Sequence, residues 1–263
     1  SKFKVLSSKF KVQSSRFKVL ILMMQTVLIS GAAKRVGRAL AESLAARGWE
    51  VVLHCNNSRE GADILSSGLR ETFKGRRFPV VMADFSSPEK AAADVFARLS
   101  ELGIKPDALI NNASLFSPST ISETTAELLR QQMSVNFEAP FMLMNAFYHS
   151  CGKGSIVNIL DTRVSHNKSD YAAYSLSKKA LMELTRMAAL EWAPNIRVNA
   201  VAPGAVLPPP GKDYSYLSEL AAQTPLRKVV EMEQLIDALW FLLSNSAVTG
   251  QIIYCDGGAH LNL

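Results

Sequence analysis

The segment "NILDTRVSHNKSDYAAYSLSKKAL" (158–181) gathers side chains able to move a proton: Asp161, Tyr171, Tyr174, Lys178 and Lys179. On a helix, residues four apart lie one above the other, so Tyr174 meets Lys178, whereas Tyr171 meets Ser175 and Lys179 points elsewhere. A phenol with a pKa of about 10 is a weak acid at neutral pH, and a neighbouring ammonium is expected to favour its ionised form and lower that value. Tyr174 and Lys178 are therefore a candidate proton donor with its charge partner. Asp161 closes the apolar run "SIVNIL" (155–160). Burial there could raise its pKa and let it support proton delivery with Tyr174. Tyr171 is read as packing or pocket wall, and His166, Asn167 and Lys168 are assigned no chemistry.

Such a helix needs a scaffold, and the rest of the chain supplies one. Short apolar runs at 26–30, 50–54, 79–83, 107–111, 155–160, 196–202 and 251–255 read as buried strands. They alternate with helical patterns near 36–47, 59–73, 88–102, 124–150, 171–192 and 232–244. This alternation predicts an α/β fold, a doubly wound parallel sheet of Rossmann type in one domain over 25–263. The Pro/Gly-rich stretch "PGAVLPPPGKDYSYLSEL" (203–220) is the exception and reads as an inserted substrate loop with a short helix.

Ligands of a doubly wound sheet bind beyond the carboxyl ends of the strands. The first strand exits into "SGAAKRVGRAL", where Gly31 permits a tight turn and Gly37 lets helix and strand pack closely. The helix start at Val36 and Gly37 offers free N–H groups to a pyrophosphate. The second strand exits into "LHCNNSRE", with Asn56, Asn57 and Ser58 ahead of any acid. An acid at that place would repel a 2′-phosphate; its absence, together with Lys34 and Arg35, favours NADPH over NADH. Asp84 and Phe85 of "ADFSS" could flank the adenine, and "NNAS" brings Asn112, a small Ala113 that allows close cofactor approach, and Ser114.

With 48% hydrophobic and 20% charged residues, the chain has the composition of an ordinary globular protein. Its net charge of +6 comes from residues 1–24, which carry six cations and no acid. The remaining 23 basic residues match the 23 acidic ones, which argues against a nucleic-acid-binding body. Residues 1–24 repeat "SKFKVLS", "SKFKVQS", "SRFKVL" with a period of seven. This repeat is read as a disordered extension, or as translated repeat DNA upstream of a start at Met23 or Met24, in preference to a basic arm. Its removal is expected to leave activity intact. No apolar run approaches the roughly 20 residues needed to span a bilayer. Three dispersed cysteines and four histidines without ligand spacing indicate neither a disulfide framework nor a metal site. A reducing cytoplasm is the expected location.

The ordered motifs "SGAAKRVG", "NNAS", "SVNFEAP", "YSLSK" and "VAPGAV" resemble the short-chain dehydrogenase/reductase family over residues 25–263. The resemblance implies that Tyr174 donates the proton, that Lys178 orients the nicotinamide ribose and that Asn136 supports a water-mediated relay. It also implies that Pro203 and Gly204 approach the nicotinamide, and that the molecule is a homotetramer with the helices at 124–150 and 171–192 between subunits. Three departures narrow the resemblance: Arg35 where the family commonly has glycine, Ser114 where it has glycine after "NNA", and Asp161 where it has serine. All three are similar to the pteridine reductases and dihydromonapterin reductases. That likeness implies a pterin or folate substrate, with Arg35, Ser114, Phe116, Asp161 and Tyr174 around it. Flat pterins suit this set, since Phe116 and the nicotinamide could sandwich the ring while a carboxylate accepts from its amino group and ring nitrogens. Another carbonyl or C=N substrate, or cofactor sensing without turnover, is the alternative.

Overall fold

The structure is a computed structural model, and it describes residues 24–209 and 211–262. The readings made for residues 1–23 lie outside the described residues.

Seven strands form one parallel sheet: β1 (Thr26–Ile29), β2 (Glu50–Cys55), β3 (Val80–Met82), β4 (Ala108–Asn111), β5 (Gly154–Ile159), β6 (Ile196–Pro203) and β7 (Ile252–Cys255), in the order β3-β2-β1-β4-β5-β6-β7. Side chains alternate across a strand, and here both faces are covered, so the strands are mainly apolar. Val27 and Ile29 of β1 face α1 (Arg35–Ala46), α2 (Arg59–Thr72) and α8 (Met232–Ser244), through Leu40, Leu65 and Leu239. Leu28 between them faces the opposite layer, with Val95 of α3 (Pro88–Glu101), Phe147 of α5 (Ala139–Cys151) and Ala188 of α6 (Ala172–Glu191). Each fully buried aliphatic side chain of this kind is worth roughly 1.5–3 kcal/mol. Strand order reverses between β1 and β4, which opens the crevice above their carboxyl ends.

Two features position the site. A polar ladder crosses the sheet: Asn111 donates to Asn158 at 2.8 Å, and Asn158 donates to Thr185 of α6 at 2.9 Å. It fixes α6, and hence Tyr174, in register with β4 and β5. The helix expected at 124–150 is not continuous. It divides into α4 (Ala126–Met133) and α5, joined by a π-helical turn at Ser134–Glu138. Such turns gather at functional sites because the extra residue re-aims a side chain. Here it carries the fully buried Asn136. The 203–220 insertion contains the expected short helix, α7 (Tyr214–Ala222).

Candidate active site

A cleft of about 1360 Å³ lies above the crevice. It exceeds the roughly 300–1,000 Å³ of a single small-ligand pocket. Every site residue expected from sequence lines it, except Asn136.

At one end the cleft is built from backbone. Gly31 has φ +66°, and a Cβ there would lie 2.9 Å from the Ala113 Cα. A Cβ on Gly37 would lie 2.1 Å from the Gly31 carbonyl oxygen, so helix and turn meet at a distance only glycine permits. The Asn112 amide donates to the carbonyls of Ser30 (3.0 Å) and Gly31 (3.2 Å), and the Ser30 hydroxyl accepts from the N–H groups of Asn112 and Ala113. Helix α1 starts with no side-chain cap and no acid in its first turn, which leaves its N–H groups and positive dipole end for an anion. Arg35 adopts φ +54°, the left-handed region where glycine is usual. Its guanidinium donates to the Pro208 carbonyl at 3.0 Å and so ties the turn to the inserted loop. Lys34, Asn57 and Ser58 line the same end, and Asn56 donates to Asp84 at 3.1 Å. At the far side, a Cβ on Gly204 would lie 3.1 Å from the Asp256 Cα, which places the Pro203–Gly204 backbone hard against the turn after β7.

At the other end side chains dominate. The Tyr174 hydroxyl donates to Asp161 Oδ2 at 2.9 Å, and Asp161 Oδ1 accepts from the Arg163 N–H at 2.8 Å. Burial pushes the Asp161 carboxyl up, against the Arg163 N–H, Tyr174 and Lys178, which pull it down. The ammonium effect expected on Tyr174 is overturned. Its pKa is raised well above the usual phenol value, first by burial and then by the Asp161 charge. Lys178 does not reach the hydroxyl: its Nζ lies 5.8 Å from the Tyr174 ring centroid and donates to the Ile159 carbonyl at 2.8 Å. Burial brings the Lys178 pKa down to about 8, with Asp161 opposing, so it keeps its charge at neutral pH.

Phe116 is 48% exposed, with one face stacked on Tyr171 (centroids 4.2 Å, 11° between planes) and its ring edge-on to Tyr174 at 4.7 Å. Only its other face is left for a flat ligand. Arg163 lies 4.3 Å over Tyr171 and is paired with Asp170 at 2.7 and 2.8 Å. The Asn136 amide is committed elsewhere: its Oδ1 accepts from the Ser114 hydroxyl (3.0 Å) and the Leu115 N–H (2.8 Å), and its Nδ2 faces the Leu115 carbonyl, Gln132 and Ser177. It therefore holds the Ser114–Phe116 segment from behind.

Sequence reading passed over Arg163 and Thr162. Thr162 donates to the buried Asp256 at 2.6 Å and pins the turn that follows Asp161. Asp256 opens "DGG" (256–258), and a contact spanning 94 residues leaves no local signal in the sequence.

The family model described as enoyl-(acyl carrier protein) reductase matches residues 31–260. The chain belongs to the short-chain dehydrogenase/reductase family. Within it, the chain is 32% identical to pteridine reductase 1 of Leishmania tarentolae, over 89% of this chain and 96% of the relative. It is 31% identical to cis-4-hydroxycyclohexanecarboxylate dehydrogenase of Sinomonas cyclohexanicum, over 89% and 96%. The structure of FolM alternative dihydrofolate reductase 1 from Brucella canis complexed with NADP superposes with a TM-score of 0.84 at 31% identity, covering 90% of this short-chain reductase and 94% of that chain. Among the described residues no helix is long and apolar enough to cross a membrane, and no cluster of three or more His, Cys, Asp or Glu residues is placed to hold a metal.

Proposed function

We propose that this reductase uses NADPH to reduce a ring C=N bond of a dihydropterin or dihydrofolate to the tetrahydro form, and accepts oxidised pterin as well. The observation that carries this reading is the Tyr174–Asp161 hydrogen bond of 2.9 Å beside Phe116. A carbonyl reductase needs a second hydroxyl donor at that place, and this chain has an acid. The likeness to the pteridine and alternative dihydrofolate reductases supports the same substrate class.

The residues fit the cofactor. The glycine cradle and uncapped α1 suit a pyrophosphate, and Lys34, Arg35, Asn57 and Ser58 suit a 2′-phosphate, with no acid at the β2 exit before Glu60. NADPH bound there supplies the hydride. Tyr174, whose raised pKa keeps it protonated until a substrate nitrogen takes the proton, is the donor to that nitrogen. Asp161, which accepts the Tyr174 hydrogen bond at 2.9 Å and whose pKa burial raises, supports proton delivery through Tyr174. Lys178 balances the negative charge of the pair and would meet the nicotinamide ribose. Asn136 sets Ser114 and Phe116 at the pterin, and Arg35 reaches both cofactor and substrate from the turn.

Exposed Leu176, Met187 and Leu190 on α6, with Phe141 and Tyr148 on α5, support a homotetramer built on these helices. Free Cys55, Cys151 and Cys255 suit a reducing cytoplasm. The test of function is NADPH oxidation with dihydrobiopterin, dihydrofolate and simple ketones. Turnover of the first two is expected, and turnover of ketones alone would sink the pterin reading in favour of the alcohol chemistry named for the Sinomonas relative.

A further inference from the structure

His54, on β2, is 2% exposed and takes no part in the proton chemistry above. Its Nδ1 accepts from the Gly31 N–H at 3.2 Å. Because that partner is a donor, the ring proton sits on Nε2, which donates to the Ala83 carbonyl at 3.2 Å. The ring is stacked on Phe85, centroids 4.3 Å apart and planes within 5°. The His54 main-chain carbonyl accepts from the Ala32 N–H at 2.9 Å. One residue of the second strand thus grips the turn after the first strand and the Ala83–Phe85 segment after the third.

Packing alone does not call for a histidine here. Its neighbours on β2 are Leu53 and Cys55, both buried, and a buried imidazole is tolerated only when both nitrogens find partners. Burial holds the ring pKa down to about 4, so it is neutral at pH 7 and Nδ1 stays an acceptor.

We infer that His54 is a positioning residue for the dinucleotide, setting the distance between the turn that receives the pyrophosphate and the Asp84–Phe85 segment at the adenosine end of the cleft. It rests on the NADPH reading proposed above. His54 contacts neither Tyr174 nor the Phe116 end, so its effect falls on cofactor affinity and leaves the chemical step alone.

Two substitutions divide the role. His54→Phe keeps the stack on Phe85 and removes both ring nitrogens. His54→Asn sets a carbonyl oxygen near the place of Nδ1 and keeps the acceptor for Gly31, while losing the Ala83 link and the stack. NADPH Kd by fluorescence titration is expected to rise roughly tenfold in His54→Phe and about threefold in His54→Asn, as for an N–H left without a partner and one that regains it. The value of kcat at saturating NADPH and the KM for dihydropterin should stay within about twofold of wild type. Unchanged Kd in a folded His54→Phe protein would overturn the inference, as would a fall in kcat with Kd unmoved. Should His54→Phe not fold, an unchanged Kd in His54→Asn would overturn it equally. Wild-type protein that fails to bind NADPH would remove the cofactor reading and this inference together; NADPH binding by wild type with the variants unaltered would remove this inference alone.

Discussion

At the proposed phosphate end of the cleft Gly31, Gly37 and Ala113 meet at backbone distances, whereas at the other end Asp161, Tyr174, Phe116 and Tyr171 meet through side chains drawn from separate elements. The first construction leaves no room: a single methyl at Gly37 collides with a carbonyl oxygen. The second depends on protonation states and ring faces, which change with pH and with what is bound. A nucleotide's phosphates are alike in every cofactor molecule, so a rigid backbone nest serves them. On the proposed reaction the other end must move a proton, and it keeps groups whose pKa values burial has displaced.

The contrast can be broken by substitution. Tyr174→Phe removes the proposed proton donor and should lower kcat by about 10²–10⁴-fold while NADPH binding persists, as read by steady-state rates beside a cofactor titration. A near-normal rate would remove Tyr174 from its role. Gly37→Ala should act on the opposite end: forcing the backbone apart costs about 1–3 kcal/mol, seen as a lower melting temperature and weakened NADPH binding, with wild-type binding the adverse result.

The contrast is sharpened by pH. Lys178 is charged below its pKa of about 8 and loses that charge as pH rises through it. With that charge set to balance the Tyr174–Asp161 pair, kcat should fall as pH rises above about 8. A rate that climbs through this range would refute the assignment. The smallest effect is expected at the ring stack, where Phe116→Ala removes a pairing worth about 0.5–1.5 kcal/mol. Dihydropterin KM should rise a few-fold to about tenfold, with NADPH Kd unchanged; a shift in NADPH Kd would instead place Phe116 at the cofactor.

Much of the fold was legible because its determinants are periodic and local. Runs such as "TVLIS" and "EVVLH" are apolar on both faces, as buried parallel strands must be, and the observed strands fall within a residue or two of those expected. The break at Ser134–Glu138 was not legible, since "SVNFE" carries neither proline nor glycine to mark it. Its cause is tertiary: Asn136 is drawn inward by Ser114, Leu115 and Ser177. The sign of the Tyr174 shift was misread for a related reason. Helical spacing places Lys178 beneath Tyr174, but it does not say which atom the ammonium reaches, and that atom is the Ile159 carbonyl.

By itself the sequence determined the alternation of strands and helices, the glycines at the first turn, and the i, i+4 pairing of Tyr174 with Lys178. These follow from chain geometry over a few residues. Only the tertiary structure decided the hydrogen bond between Tyr174 and Asp161, the stack of Phe116 on Tyr171, and the bridge from His54 to Gly31 and Ala83. Each joins separate segments of chain, and burial sets its strength and protonation, a property no short window of sequence contains.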